Sequence, residues 1–399
     1  MERLVDDLDQ TLLRRNAMTI VRMHLGRDLS GEKRSELSLG RGRLVRVALP
    51  STPGLETNYA DDPVQRFDWR MALRRAVFSQ PLLWRAIVEP WVRRRRLAPR
   101  PGEMIGAGKA FARLLEEFRF DLCVMHFFGS ADADEVIREA RRRHLPIALS
   151  NHYANDRFLH LAIRQHVLAA TRVAGVNGLQ VPGFLRPGFA DLADGIDLDF
   201  FDPRHAQPLA DAPEQPILFL PARVLRAKGH WDLVHCARQL HDQGLPVAVV
   251  FAGRADSGTF VPELQREVAR LGLANHVRFL GPQHPEQLRD WYHASAATVF
   301  PTYHHEGLGR ITIESQAMGT PAVAYATGGV ADGIRDGETG FLVPTGNLDA
   351  LTKRVASLLR ERPLRERMSR AGRAFVEGKY SLTAFAERHE AFYRSCLRA

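Results

Sequence analysis

Hydrophobic residues in the second half of the chain form short runs that alternate with longer amphipathic stretches. The runs, which we predict to be buried strands, lie at residues 217–220, 247–252, 277–280, 297–300 and 322–325. The stretches of helical period, which we predict to be helices, lie at residues 231–243, 262–271, 311–318 and 348–360. Strands that alternate with helices usually pair in parallel, so this half is predicted to be a doubly wound α/β domain.

A less regular alternation occupies the first half. We predict helices at residues 103–118, 132–143 and 157–170, and strands at residues 122–127, 147–151 and 172–177. An earlier strand, Leu44–Leu49, leads into the loop Pro50–Gly54, at the strand end where an open α/β sheet binds its ligand. Residues 1–40 carry apolar positions at partly helical spacing and predict one or two helices outside the main sheet.

Glycine, aspartate and proline interrupt the alternation of strands and helices at Asp194–Pro203, which predicts a domain boundary. The expected organisation is a helical extension at 1–40, a Rossmann-like domain at 41–205, a second one at 206–375, and a helix at 376–399 that returns to the first domain. Two doubly wound domains that face each other create a cleft, and such clefts are favoured ligand sites.

Composition restricts the class of protein without choosing a function. The 399 residues suffice for two domains, and 55 Lys plus Arg against 46 Asp plus Glu give a net charge of +9, which favours nucleotides, phospholipid surfaces or nucleic acid as partners. Cys123, Cys236 and Cys396 are scattered, so we expect neither disulfides nor a zinc site and favour a reducing cytoplasm. Apolar runs are too short to span a bilayer, and the N-terminus is too acidic for a secretory signal.

Aromatic and basic residues interleave between Trp69 and Leu97. One interpretation is a solvated basic face whose aromatic residues lie in the core. The other is peripheral contact with an anionic membrane, on its cytoplasmic face, to which each Arg contributes on the order of 1 kcal/mol. The residues of this second interpretation are Trp84, Trp91, Arg93, Arg94, Arg95 and Arg96.

Two carboxylates and two cations carry the candidate chemistry. Glu306 and Glu314 lie in the segment His305–Glu314, about eighty residues after Arg223 and Lys228. Carboxylates bind hydroxyl-rich groups, cations bind a diphosphate, and glycines allow backbone amides to approach a ligand closely. Together they predict a site for a nucleotide sugar, without nucleic acid as a partner.

These residues belong to an ordered series of motifs over residues 215–360. The series resembles the retaining glycosyltransferases of family 4, which have the GT-B architecture of two Rossmann-like domains. Its motifs are Pro221–Arg223 with Lys228–Gly229, Phe251–Gly253, Phe279–Gly281, the two-glutamate segment, Ala317–Pro321, Gly328–Gly329 and Asp336–Val343.

The resemblance implies a role for each matching residue. Arg223 and Lys228 would bind the donor diphosphate, Glu306 the hydroxyls of the transferred sugar and Glu314 the ribose. The amides of Gly307, Leu308 and Gly309 would lead into a helix N-terminus that favours phosphate. Arg310 departs from the family's usual apolar residue, which leaves the choice of sugar open. The alternative is that Lys228 and Arg223 are surface cations and that Glu314 is a surface carboxylate.

The first domain resembles the family less closely, through Phe120–His126 and the turn Gly195–Phe201. The resemblance implies that His126 lies against the donor sugar, as a catalytic residue beside Glu306, Arg223 and Lys228. A strand-end histidine without function is the alternative. His152, at the end of the next strand, and Gly54 are candidates for binding the acceptor.

We identify no nucleophile or general base, and related transferases use front-face attack with a phosphate oxygen as the base. We expect no metal and no cofactor, because Arg223, Lys228 and a helix dipole can neutralise the diphosphate. The Asp-x-Asp spacings at Asp132 and Asp197 are interpreted as a helix start and a turn. The expected donor is a UDP-sugar or a GDP-sugar, and the acceptor a glycan, a lipid-linked sugar or another hydroxyl compound.

Two other functions are considered. A nucleotide-sugar epimerase of the same architecture would need no acceptor. The set Arg223, Lys228, Glu306 and Glu314, however, resembles the set found in transferases. A basic protein that binds membrane or nucleic acid without catalysis would show salt-sensitive binding and no donor consumption. That function leaves the two glutamates unexplained.

Overall fold

The computed structural model describes residues 2–15, 19–26, 33–39, 42–50, 107–126, 131–151, 170–176, 188–255 and 259–399. The chain divides into two units. The first comprises Met1–Ala193 with Phe385–Ala399, and the second comprises Asp194–Ala384. Residues 194–205, which the sequence analysis assigned to the first domain, therefore belong to the second unit.

The N-terminal part of the first unit combines one helix with a small sheet. Helix α1 (Glu2–Arg15) precedes strands β1 (Thr19–Gly26), β2 (Lys33–Leu39) and β3 (Gly42–Pro50). β3 lies in the middle, parallel to β1 and antiparallel to β2.

The prediction of helices alone over residues 1–40 is therefore wrong after α1. Residues 21–25 alternate between apolar and polar side chains, a period of two that suits a strand, and pairing on both sides of β3 satisfies its backbone hydrogen bonds. Leu44–Leu49 is a strand as predicted, but it pairs in this small sheet and with none of the described strands that follow it.

A four-stranded parallel sheet forms the rest of the first unit. Its order is β4-β5-β6-β7, and helices α2 and α3 accompany it. The strands are β4 (Cys123–Met125), β5 (Ile147–Asn151), β6 (Arg172–Gly175) and β7 (Ala190–Asp191), and the helices are α2 (Ala107–Glu117) and α3 (Ala131–Arg142). The predicted strands and the first two predicted helices match these elements closely. The helix predicted at 157–170 lies almost wholly outside the described residues.

The second unit contains a six-stranded parallel sheet with the order β10-β9-β8-β11-β12-β13. The strands are β8 (Ile217–Leu220), β9 (Ala248–Phe251), β10 (Val277–Phe279), β11 (Ala297–Phe300), β12 (Ala322–Tyr325) and β13 (Gly340–Val343). The chain builds outward from β8 on one side and then returns to place β11 on the other. The carboxyl ends of β8 and β11 thus form a topological switch point, where open α/β sheets bind ligands.

Helices cover this sheet. They are α4 (His230–Asp242), α5 (Phe260–Arg270), α6 (Pro285–Ala294), α7 (Arg310–Ala317), α8 (Leu348–Arg360) and α9 (Arg362–Tyr380). The four central strands β8, β9, β11 and β12 are buried at every position, which explains why uninterrupted apolar runs predicted them well. The sequence analysis predicted neither α6 nor β13. The prediction of an α/β protein with parallel sheets is confirmed.

The last helix, α10 (Leu382–Leu397), contributes its C-terminal residues to the first unit. Phe392 and Cys396 pack in one apolar cluster with Ala148 of β5, Ala174 of β6 and Leu192. The helix therefore closes one face of the four-stranded sheet. Among the helices that the structure describes, none is sufficiently long and apolar to cross a bilayer.

Truncating the α10 anchor should destabilise the first unit. Phe392 is only 3% exposed, so Phe392→Ala should cost about 3–5 kcal/mol in transfer free energy and cavity formation. Amide hydrogen exchange in β5 and β6 under native conditions measures this loss as faster exchange. Arg394→Ala, an exposed position on the same helix, is the control and should leave exchange within experimental error. Equal protection in both variants would contradict the packing of α10 on this sheet.

Candidate nucleotide-sugar site

The turn that carries Lys228 is fixed between the ends of β8 and β11. Residues Arg226–Lys228 form a single 3-10 turn, and Gly229 follows with φ of +80° at the start of α4. A Cβ atom at Gly229 would lie 2.0 Å from the carbonyl oxygen of Pro301, so only glycine allows this approach. The amide of Tyr303 donates to the Ala227 carbonyl at 2.8 Å, which joins the two loops.

Lys228 and Glu306 meet across this junction. The Lys228 ammonium donates a hydrogen bond to Glu306 Oε1, and the side chains are only 14% and 20% exposed. Nδ1 of His304 lies 4.0 Å from the same carboxylate oxygen, and Lys228 Nζ lies 5.8 Å from the centroid of the Phe300 ring. The switch point therefore contains a partly buried pair of opposite charges.

The segment between the two glutamates leads directly into α7. Leu308 is buried, and Gly309 has φ of +64° at the helix start. A Cβ atom at Gly309 would lie 3.0 Å from Val330 Cγ2, which favours glycine here. The amides at the start of a helix attract anions, so this segment suits a phosphate next to the charge pair.

Glu314 lies one turn inside α7, with one carboxylate oxygen in a hydrogen bond and the other in an ion pair. The Tyr292 hydroxyl donates to Oε2 at 3.0 Å, and Arg310 Nε lies 3.4 Å from Oε1. The Glu314 side chain is 17% exposed, which argues against an ordinary surface carboxylate. Burial, and then the charge of Glu314, raise the pKa of Tyr292 well above its usual value, so its hydroxyl remains a donor.

A third carboxylate, that of Asp232, anchors the loop that follows β11. Asp232 of α4 accepts hydrogen bonds from the hydroxyls of Tyr303 and Tyr325, at 2.7 and 2.5 Å. Burial, and then this carboxylate, raise the pKa of Tyr303 to about 12. The sequence analysis missed Asp232, Tyr303 and Tyr292, because their partners are distant in sequence. The Pro285 that begins α6 was an available signal for the helix that carries Tyr292.

The structure thus brings Lys228 and Glu306 into contact, and Gly307, Leu308 and Gly309 connect Glu306 to the helix of Glu314. Arg223 is exposed in the loop after β8, one residue before Val224, whose amide donates to the Arg254 carbonyl at 3.0 Å. The Asp197 carboxylate accepts hydrogen bonds from the amides of Asp199 and Phe200, a local turn as predicted.

The remaining predicted residues lie elsewhere in the chain. His126 belongs to the first unit, directly after β4, with its ring centroid 6.3 Å from that of His389 in α10. Gly54 and His152 lie outside the described residues, as do the aromatic and basic residues of 69–97. Within the described part of the chain, no group of three or more His, Cys, Asp or Glu residues is arranged to hold a metal ion.

Sequence comparisons relate the second unit to glycosyltransferases. Residues 202–375 match the family model described as "Glycosyl transferases group 1". The D-inositol 3-phosphate glycosyltransferase of Streptomyces scabiei is 37% identical over 195 residues, which cover 46% of this chain and 43% of that protein. The corresponding protein of Streptomyces coelicolor is 48% identical over 98 residues, 24% of this chain and 21% of its own. The chain thus matches less than half the length of these curated relatives.

Solved structures with the same fold cover more of the chain. Sucrose-phosphate synthase from Thermosynechococcus elongatus aligns with a TM-score of 0.68 and 19% identity over 99% of this chain and 92% of its own. HepE of Anabaena, solved in complex with UDP, aligns with a TM-score of 0.63 and 17% identity over 72% of this chain and 82% of its own. These likenesses confirm the prediction of the GT-B fold.

Protonation of His230, next to the Lys228 turn, should contribute to acid sensitivity. Burial, and to a smaller extent Lys228, lower the pKa of His230 from 6.5 to about 4. Below pH 6.5 the unfolded imidazole binds a proton that the folded one does not. The contribution of His230 to the free energy of unfolding is therefore fully present above pH 6.5. It is lost as the pH falls toward 4, by roughly 1.4 kcal/mol per pH unit.

His230→Asn retains a donor for the Leu225 carbonyl, which Nδ1 of His230 contacts at 3.1 Å. Urea unfolding at intervals between pH 7 and pH 4 should give a shallower loss of unfolding free energy in this variant than in the wild type. His144→Asn, at an exposed left-handed turn position, is the matched control and should retain the wild-type slope. Identical slopes for wild type and His230→Asn would show that His230 titrates normally in the folded state.

Proposed function

We propose that the protein is a retaining glycosyltransferase of family 4 that transfers a sugar from a nucleotide-sugar donor to a hydroxyl acceptor. The Lys228–Glu306 pair at the switch point is the observation on which the proposal depends, because a diphosphate needs a cation and a sugar needs a hydrogen-bond acceptor at one place. The match of residues 202–375 to a glycosyltransferase family model includes Arg223, Lys228, Glu306 and Glu314 and supports it.

The donor is proposed to be a UDP-sugar or a GDP-sugar. Structures of HepE with UDP and with UDP-glucose support a nucleotide sugar, and we place UDP first for that reason. Lys228 and Arg223 would bind the diphosphate, Glu306 the transferred sugar, and Glu314 the ribose. His126 would donate a hydrogen bond to a sugar hydroxyl.

The chemistry follows from the charge that develops on the leaving group. As the bond between sugar and phosphate breaks, negative charge accumulates on the diphosphate, and fixed cations together with the amides at the start of α7 stabilise it. A phosphate oxygen then accepts the proton of the acceptor hydroxyl, which attacks from the same face and gives retention. This arrangement requires no covalent intermediate and no metal, since Lys228 and Arg223 supply the positive charge.

The acceptor is proposed to be a glycan, a lipid-linked sugar or another hydroxyl compound, bound by the first domain with Gly54 and His152. The aromatic and basic composition of residues 69–97 supports a lipid-linked acceptor and peripheral contact with the cytoplasmic face of an anionic membrane. A nucleotide-sugar epimerase and a basic scaffold remain less favoured, because neither explains the resemblance of this site to transferases.

Removal of the Lys228 ammonium should weaken donor binding. A charged hydrogen bond contributes about 1.5–3 kcal/mol, so Lys228→Ala should bind UDP roughly 10- to 150-fold more weakly. A thermal-shift panel of nucleoside diphosphates and their sugars first identifies the donor, and titration calorimetry then measures each variant. Lys353→Ala, an exposed lysine on α8, is the control and should bind as the wild type does. Wild-type affinity and turnover in Lys228→Ala would refute the proposal.

Neutralising Glu306 should have opposite effects on product binding and on turnover. Glu306 is paired with Lys228, so a diphosphate that binds Lys228 would have to replace a carboxylate. Glu306→Gln removes that competition and should tighten UDP binding several-fold, while the lost sugar contact lowers turnover of the intact donor. Glu263→Gln, which alters the partner of the neighbouring Arg226, should change neither. Weaker UDP binding in Glu306→Gln would contradict an exchange of partners at Lys228.

A further inference from the structure

The Glu314 carboxylate contacts two side chains, Tyr292 and Arg310, that are themselves held in place. Tyr292 is 1% exposed, and its ring packs edge-on against Phe219 at a centroid distance of 5.3 Å. The carbonyl of Tyr292 also accepts a hydrogen bond from Thr320 Oγ1 at 2.6 Å. The Tyr292 hydroxyl therefore donates to Glu314 from a side chain with little freedom to move.

Arg310 approaches the carboxylate from the other side. Its Nε lies 3.4 Å from Glu314 Oε1, and its Nη1 donates to the carbonyl oxygen of Gly195 at 3.0 Å. An Arg–Glu pair one helical turn apart is normally weak, because both long side chains remain free to rotate. Here the contact with Gly195, 115 positions away in sequence, restrains the guanidinium. An apolar residue at this position could not make either contact.

One hydrogen bond and one ion pair leave the carboxylate able to accept further hydrogen bonds. Each carboxylate oxygen has two lone pairs, so Oε1 and Oε2 can each accept one more hydrogen bond. A carboxylate in a fixed orientation matches the two neighbouring hydroxyls of a ribose. A freely rotating one would bind the same diol with a larger loss of conformational entropy.

We propose that Tyr292 and Arg310 are positioning residues that orient Glu314 toward the ribose hydroxyls of the donor and so select a ribonucleotide. The inference rests on the proposed function and assigns a task to two side chains that bind no part of the donor themselves. It also accounts for the arginine at position 310, where the resemblance implies an apolar residue.

The test compares ribose with 2′,3′-dideoxyribose, because orientation of Glu314 affects only ligands that carry the hydroxyls it binds. Titration calorimetry gives the dissociation constants of UDP, GDP and their 2′,3′-dideoxy forms for wild type, Tyr292→Phe and Arg310→Met. We expect the wild type to prefer the ribonucleotide, and each variant to lose about 3- to 10-fold of that preference while its affinity for the dideoxynucleotide stays constant. Glu314→Gln removes the carboxylate itself and therefore gives the largest loss of ribose preference that we expect.

Arg362→Met is the matched control, because Arg362 forms an ion pair of the same spacing with Glu366 on an exposed helix surface. It should leave the preference unchanged. A purely structural defect in Tyr292→Phe or Arg310→Met lowers the unfolding midpoint or the active fraction, but does not change the ratio of the two dissociation constants. Urea unfolding of each variant measures that defect separately.

The possible outcomes separate this inference from the proposed function. Wild-type protein that binds no nucleoside diphosphate would overturn both. Binding with an undiminished ribose preference in Tyr292→Phe and Arg310→Met, or a wild type that does not distinguish ribose from dideoxyribose, would overturn the inference alone. An equal loss of affinity for both nucleotides in Arg310→Met would show that Arg310 binds phosphate directly, which also overturns it.

Discussion

The close contact between the Gly229 turn and the end of β11 is the constraint on which the candidate site depends. β8 and β11 are parallel neighbours, but 76 residues separate the end of one from the start of the other, from Leu220 to Ala297. Because Gly229 has no side chain, its turn lies against Pro301, and the loops after the two strands share hydrogen bonds. From this position Lys228 contacts Glu306. The charge pair is thus a consequence of sheet order and of one glycine.

Much of the second unit could be predicted from the sequence, for a physical reason. Strands buried on both faces are continuous apolar runs, and Ile217–Leu220, Ala297–Phe300 and Ala322–Tyr325 have the predicted bounds. β13 was missed because its four residues follow a turn-rich segment and lack a distinctive period. The N-terminal strands were missed for a different reason. The alternation in β1 covers only five residues and β2 is mostly polar, so the local strand signal is weak and both segments form a sheet through pairing with β3.

The site was predictable as a set of residues but not as a set of contacts. Resemblance to a family identified Arg223, Lys228, Glu306 and Glu314, and their assigned roles remain proposals. Sequence alone could not indicate that Lys228 and Glu306 bind each other. The contact of Tyr292 with Glu314 was missed as well, because Tyr292 donates its hydrogen bond from a helix that the sequence analysis did not predict. Such contacts depend on tertiary packing, which a single sequence does not encode in a local pattern.

The two glutamates are held in ways that suit different tasks. A partly buried ammonium is costly without a counter-charge, so Lys228 needs either Glu306 or a diphosphate as its partner. In the proposed function, a ligand that supplies phosphate would replace Glu306 as the partner of Lys228 and leave Glu306 to bind the sugar. Glu314 instead contacts Tyr292 through a hydrogen bond and Arg310 through an ion pair. Glu306 is therefore paired with the cation that the proposal assigns to the diphosphate, whereas Glu314 is not, although the two glutamates lie only eight residues apart in the same segment.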